Sequence, residues 1–209
     1  RQRQMCIRDR FRTFDALNDF NNIEYSIKEV KRIGGHAQGT IAYTTSPVHN
    51  LDTWLDLAKK IEDSGADSLA IKDMAGLLRP YDAYELVTSL KDSLSIPIHM
   101  QTHATTGMST ATNMKAIEAG IDNIDTSISS LSMTYGHTAT ETMLAIFEEQ
   151  DREIDLNVEA LEEVSIFFKE IREKYSEFEG NLKGVDSTML VKQVPGGMSV
   201  SYTHLRAHE

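Results

Sequence analysis

The sequence predicts an α/β fold built from repeated strand–helix units around a parallel sheet. Three observations carry this. Short apolar, β-like runs begin every ~25–30 residues, the length of one βα unit. Amphipathic helical stretches lie between them. Glycines close several of those helices just before the next strand, as glycines after a helix end should. The strand candidates are Phe11–Phe14, Ala37–Thr44, Ser68–Asp73, Ile96–His103 and Asn123–Ile128.

The helices are read from their punctuation. The first follows Asp19, places Ile23, Ile27 and Val30 on one face, and stops at Gly34. The second takes Asn50 as N-cap, turns Trp54, Leu57, Ala58 and Ile61 inward, and stops at Gly65. The third begins at Pro80, a residue suited to a first helical turn, with Ala83, Leu86, Val87 and Leu90 inward. The fourth follows Ser109, buries Met114 and Ile117, and ends at Gly120. Thr138 and Glu141 have capping-box spacing and open a fifth. A sixth runs from Asn157 to about Tyr175, with Leu161, Val164, Phe168 and Ile171 on one stripe. Ser176–Lys183 reads as a surface connection. Five parallel strands make either a complete small sheet or part of an eight-stranded barrel, and periodicity leaves both open.

Composition narrows the function classes. The 209 residues suffice for one domain with a sizeable core. No apolar run approaches the ~20 residues that span a bilayer, and no apolar leader segment is visible. Cys6 is the only cysteine, which excludes a disulfide framework and a cysteine zinc site. A net charge of −11 argues against a nucleic-acid partner, because phosphate binding wants basic clusters. A cytoplasmic location is expected.

The two ends read as foreign. Met5–Asp9 and Val200–His204 can be encoded by opposite strands of one DNA sequence: ATG-TGT-ATA-AGA-GAC, reverse-complemented, encodes the second string. The pair also resembles a translated sequencing-library adapter. Residues 1–10 and 199–209 are therefore expected to be read-through scars flanking a domain at 11–198. Residues 1–10 carry four Arg and one Asp, a charge of +3, and 199–209 carry none net, so −11 less +3 leaves −14 between them.

In parallel βα folds, functional groups gather where strands end. Those ends offer Asp15, Tyr43–Thr45, Lys72–Asp73, then His99, Gln101 and His103, and finally Asp125–Thr126. Residues 99, 101 and 103 share one face of their strand. Two imidazoles and an amide there suit a metal or an oxyanion, or else simply structural hydrogen bonding. Lys72 sits in an apolar strand, and a buried ammonium must be paired or lose its proton. It is either a salt bridge to an aspartate or a lysine of lowered pKa, used as base, Schiff-base amine or carbamate.

Six motifs in order add a family. IKDMAGLLRPYDAYELV (71–87) resembles the carboxyltransferase domain of biotin-dependent enzymes, namely pyruvate carboxylase and the oxaloacetate decarboxylase α-subunit. So do FRTFDALND (11–19), GGHAQGTIAYTTSPVH (34–49), PIHMQTHATTGMS (97–109), IDNIDTSIS (121–129) and QVPGGM (193–198). HAQGTIAYTTSPVH and HATTGM lean toward the decarboxylase α-subunit or the separate carboxyltransferase subunit of two-part pyruvate carboxylases. The resemblance implies an incomplete TIM (β/α)8 barrel, with these motifs on its strands four to eight. It implies that Lys72 is a carbamylated lysine and, with His103, a ligand of zinc, manganese or cobalt. Gln101 stands where the family has its first metal histidine, and an amide is the poorer ligand.

The implied reaction moves CO2 between oxaloacetate or pyruvate and biotin, with oxaloacetate decarboxylation ahead of pyruvate carboxylation. Biotin would ride on a separate carrier domain. The implied partners are membrane decarboxylase subunits, at the inner face of the membrane, or a biotin carboxylase, within a homo-oligomeric parent. The family's first-strand aspartate ligand, its substrate-holding arginine and glutamine, and its proton-transferring threonine have no counterpart here. Ser199 and Thr203 are not assigned that last role, because they fall in the terminal scar. Two other readings stand beside this one. A 2-isopropylmalate synthase or hydroxymethylglutaryl-CoA lyase barrel shares the histidine strand, but its metal site lacks the lysine. An inactive partial barrel is the non-enzymatic alternative.

Overall fold

The computed structural model describes residues 9–148, 154–180 and 182–192. Five strands form one parallel sheet in sequence order: β1 (Arg10–Thr13), β2 (His36–Ala42), β3 (Ser68–Asp73), β4 (Ile98–Thr102) and β5 (Asn123–Ile124). The connections are α1 (Phe20–Arg32), α2 (Leu51–Asp63), α3 (Pro80–Ser93) and α4 (Ser109–Glu118). Beyond β5 come α5 (Thr140–Glu148), α6 (Val158–Lys174) and α7 (Met189–Lys192). β1 begins at Arg10, and the His36 amide donates to the Asp9 carbonyl, so pairing enters the segment expected to be foreign.

Local chemistry explains most boundaries. The side chains of Asp19, Asn50 and Asn157 cap α1, α2 and α6 by accepting from Asn21, Thr53 and Ala160 amides. Pro80 opens α3. Gly34, Gly65 and Gly120 stand just beyond α1, α2 and α4 with φ of 77°, 92° and 90°, the left-handed conformation that stops a helix.

Strand alternation sorts the side chains into two faces. Ala37, Ile41, Leu69, Ile71, Ile98 and Met100 face the helices and merge with Ile23, Ile27, Trp54, Ile61, Leu86 and Leu90 into one core. Each fully buried Ile or Leu there stabilises the fold by about 1.5–3 kcal/mol. Gly39 lies on this face because α2 comes so close: a Cβ there would sit 2.3 Å from Ile61 Cγ2.

The opposite face is polar and concave. Arg12, on β1, reaches Asp125, just past β5, at 2.5 Å. In a flat sheet, strands four spacings apart lie ~19 Å away from each other, beyond the reach of these two side chains. The sheet is therefore curled, like part of a barrel wall, with its polar face inside.

Some expected elements differ. β5 holds two residues rather than the span Asn123–Ile128. It has one partner, β4, and beyond Ile124 the chain turns Asp125 inward to Arg12. The Thr138/Glu141 capping box does not form. Thr138 is buried, and its hydroxyl donates to Ser109 Oγ. Glu141 accepts from the Ser129 amide instead. Backbone bonds between 127 and 138–140 keep the chain extended up to Thr140, where α5 starts. α4 begins at Ser109 itself, with Met108 as its cap and no side-chain cap bond. On α6, Leu161, Phe168 and Ile171 are half-buried, while Val164 is exposed. The QVPGGM motif and the terminal segment 199–209 lie outside the described residues. Among the described residues no helix is long and apolar enough to cross a membrane.

Candidate active site at the carboxyl end of the sheet

The concave face presents Gln38 and Thr40 from β2, Lys72 from β3, His99 and Gln101 from β4, and Arg12 and Asp125 from the two flanks. Register brings the central pair together: Lys72 is laterally paired with Gln101. His103 follows one residue beyond β4, on the same side.

Arg12 organises the floor. Its Nε donates to Gln38 Oε1 at 2.6 Å, and its guanidinium forks onto Asp125 at 2.5 and 3.3 Å. Nη1 also reaches Gln101 Oε1 at 3.3 Å. His99 is buried between Gln38 Nε2, at 3.1 Å from its Nδ1, and Asp125, at 3.5 Å from its Nε2. Burial pushes the His99 pKa down, against the opposing pull of Asp125. His99 thus belongs to the floor.

Lys72 stands above this network. Its ammonium lies 4.1 Å from the centroid of the Phe14 ring and, among the described residues, makes no ion pair. Burial lowers its pKa, the neighbouring Arg12 adds to the effect, and Asp125 opposes it. The expected salt bridge from Lys72 to an aspartate is not seen among the described residues, and the adjacent Asp73 cannot supply it, because successive strand residues face opposite ways. Asp73 is fully buried on the helix side, accepting from Leu77 and Leu78 amides and from Thr102 Oγ1. Burial raises its pKa despite these bonds.

His103 is held through Nδ1, 2.6 Å from the Tyr135 carbonyl. A carbonyl only accepts, so Nδ1 carries the proton and Nε2 keeps its lone pair. Burial lowers the His103 pKa, aided by His137 and Lys72 and opposed by the Tyr135 contact.

The other strand-end residues do different work. Asp15 accepts from the Leu17 and Asp19 amides and from Asn22, and so shapes the turn into α1. Tyr43 packs on Trp54 with ring centroids 5.6 Å apart, and burial pushes its hydroxyl up to about 12. Thr126 bonds Thr140. Sequence reasoning missed Arg12, Gln38 and His137. A polar residue in an apolar strand, the signal that singled out Lys72, also marks Arg12 and Gln38.

Among the described residues, no three His, Cys, Asp or Glu side chains cluster closely enough to hold a metal. On this face His103 offers its Nε2 as a donor atom, and the Lys72 amine stands on the same side. Gln101, the third candidate, has its amide oxygen engaged by Arg12.

A family model described as HMGL-like matches residues 11–167. The chain belongs to the HMGL-like family. It is 46% identical over 191 residues to a pyruvate carboxylase subunit of Methanocaldococcus jannaschii, covering 91% of this chain and 34% of that one. It is 44% identical over 192 residues to the methylmalonyl-CoA carboxyltransferase 5S subunit of Propionibacterium freudenreichii, covering 91% of this chain and 38% of that one. Among solved structures, it is similar to the carboxyl transferase domain of Rhizobium etli pyruvate carboxylase with pyruvate. There the TM-score is 0.87 at 32% identity, over 91% of this chain and 33% of that one. The curled sheet is thus part of a carboxyltransferase TIM barrel. The chain spans about a third of the length of these curated relatives.

Proposed function

We propose that this HMGL-like chain carries part of a biotin-dependent carboxyltransferase site that moves CO2 between oxaloacetate or pyruvate and biotin. The supporting observation is Lys72, an amine among polar groups on the concave face, lowered in pKa and close to a histidine with a free Nε2. Lowering the pKa raises the share of neutral amine, the form that adds CO2 and releases a proton to give a carbamate. That converts a cation into an anionic metal ligand. A bound divalent ion would supply Lewis-acid polarisation of the substrate's 2-oxo oxygen. Lys72 and His103 are the residues of this chain that would hold it, with Gln101 beside them.

In the decarboxylating direction the bond between C3 and its carboxyl group in oxaloacetate breaks. The carboxyl group goes to the biotin ureido nitrogen, and that nitrogen's proton goes to the enolate carbon, giving pyruvate. The enolate oxygen is the charge to be stabilised. Arg12, tied to Asp125, Gln38 and Gln101, keeps the floor beneath rigid and polar. The string HATTGM fits the oxaloacetate decarboxylase α-subunit and the separate carboxyltransferase subunit of two-part pyruvate carboxylases alike. The pyruvate carboxylase and carboxyltransferase relatives favour the pyruvate carboxylase type. Biotin on a carrier domain serves both. The related lyase or synthase reading is disfavoured by Lys72, which those barrels do not need.

The test uses a polypeptide carrying the whole barrel, with oxaloacetate and free biotin, and follows pyruvate release. Lys72→Arg keeps the charge but hinders carbamate formation. It should lower the rate by more than the roughly 10–100-fold that loss of a metal ligand's outer partner costs. Unchanged turnover in Lys72→Arg rejects the assignment.

A further inference from the structure

The segment after β5 makes an unusual turn directly against His103. Met133 and Thr134 both take left-handed φ, 60° and 50°, which residues with side chains rarely adopt. The turn is closed by Gly136 N donating to Met133 O at 2.7 Å and Met133 N donating to His137 O at 2.8 Å. Gly136 leaves no room for a side chain: a Cβ would lie 2.7 Å from the Leu131 carbonyl oxygen and 3.1 Å from that of Met133. Three contacts weld this turn to the end of β4. Tyr135 O accepts from His103 Nδ1. Gly136 O accepts from Ala104 N at 2.9 Å. His137 Nδ1 donates to Thr102 O at 3.0 Å, and its ring lies 4.5 Å from that of His103. His103 is thus gripped by two residues of one strained turn, through its ring face and through Nδ1. A turn needed only to link two elements has no use for two left-handed residues that deliver a carbonyl to one imidazole nitrogen.

We propose that the Met133–His137 turn is a tautomer clamp that holds His103 protonated on Nδ1 with the Nε2 lone pair free, His137 being its positioning residue. The inference rests on the reading of His103 as a metal ligand, since a ligating imidazole is oriented through its other nitrogen. The clamp itself is testable without metal. In a whole-barrel polypeptide, 15N-labelled at histidine and metal-free, long-range proton–nitrogen correlations report the tautomer of each ring. The wild type should show His103 protonated on Nδ1. His137→Ala and Gly136→Ala should shift it toward the Nε2-protonated form. His137→Asn, whose amide nitrogen can replace Nδ1 in donating to Thr102 O, should retain more of the native tautomer than His137→Ala. Unchanged His36 and His99 signals certify that a variant is folded.

An Nε2-protonated His103 in the wild type overturns the clamp whatever the variants do. So does a native tautomer persisting in folded His137→Ala and Gly136→Ala. Cobalt titration of a whole-barrel polypeptide separates the two readings. The clamp predicts roughly 10–100-fold weaker binding in His137→Ala. If the wild type binds no cobalt, the metal reading fails, and the tautomer spectra still decide the clamp.

Discussion

Lys72 and Gln101 are lateral neighbours that the fold treats differently. Lys72 rests on the Phe14 ring and makes no ion pair among the described residues. Gln101 turns its oxygen to Arg12. An imidazole at this position would exchange that contact for a second strong nitrogen donor beside Lys72. In a whole-barrel polypeptide, Gln101→His is expected to tighten cobalt binding by about tenfold or more, ~1.4 kcal/mol. Calorimetric titration of both forms measures this. Equal affinities would show that Gln101 does not occupy a ligand position.

At the scale of elements, Glu62 ties α2 to the connection between α3 and β4. Its carboxylate accepts from Ser95 N at 2.8 Å and Ser95 Oγ at 2.7 Å, and pairs with Lys59. The Lys59 and Ser95 bonds hold its pKa down to about 2, from an ordinary 4.5. A depressed carboxylate contributes stability that is fully present above its unfolded pKa and is lost as pH falls through the folded one. Glu62 therefore stabilises the chain above about pH 4.5 and ceases to do so near pH 2. Glu62→Gln should cost about 1 kcal/mol at neutral pH, and the gap should close between pH 4.5 and 2 in urea denaturation. A gap independent of pH would show that the charge contributes nothing. Elements of this kind were legible in sequence wherever their cause was local. Asp19, Asn50 and Asn157 cap helices through partners two or three residues away. The Lys72 and His103 positions were legible as polar residues at strand ends. Thr138 and Glu141 misled because distant partners, Ser109 and Ser129, took the side chains a capping box needs. Arg12 was missed because its meaning lies 113 residues away, at Asp125. His137 was missed because a turn alone brings it to His103.

At the scale of the whole molecule, the curvature set by Arg12 and Asp125 poses the question of closure. A (β/α)8 barrel has no edges, whereas β1 and β5 each have a single strand partner among the described residues. Beside β5, Ile117, Ile121, Ile124, Met143, Phe147 and Leu156 line an apolar groove. Phe14 and Leu17 are exposed after β1. Unpaired backbone next to apolar surface is a template for pairing with another chain. The 209-residue chain alone is expected to self-associate at micromolar to millimolar concentration, with apparent mass rising with concentration in light scattering. It is also expected to release no pyruvate from oxaloacetate and biotin, because Lys72 and His103 supply only part of the donor set a metal needs. Both outcomes share one cause, an arc of barrel wall without its complement. A chain that stays monomeric across that range and decarboxylates oxaloacetate in a biotin-dependent way would show that the arc alone makes a working site.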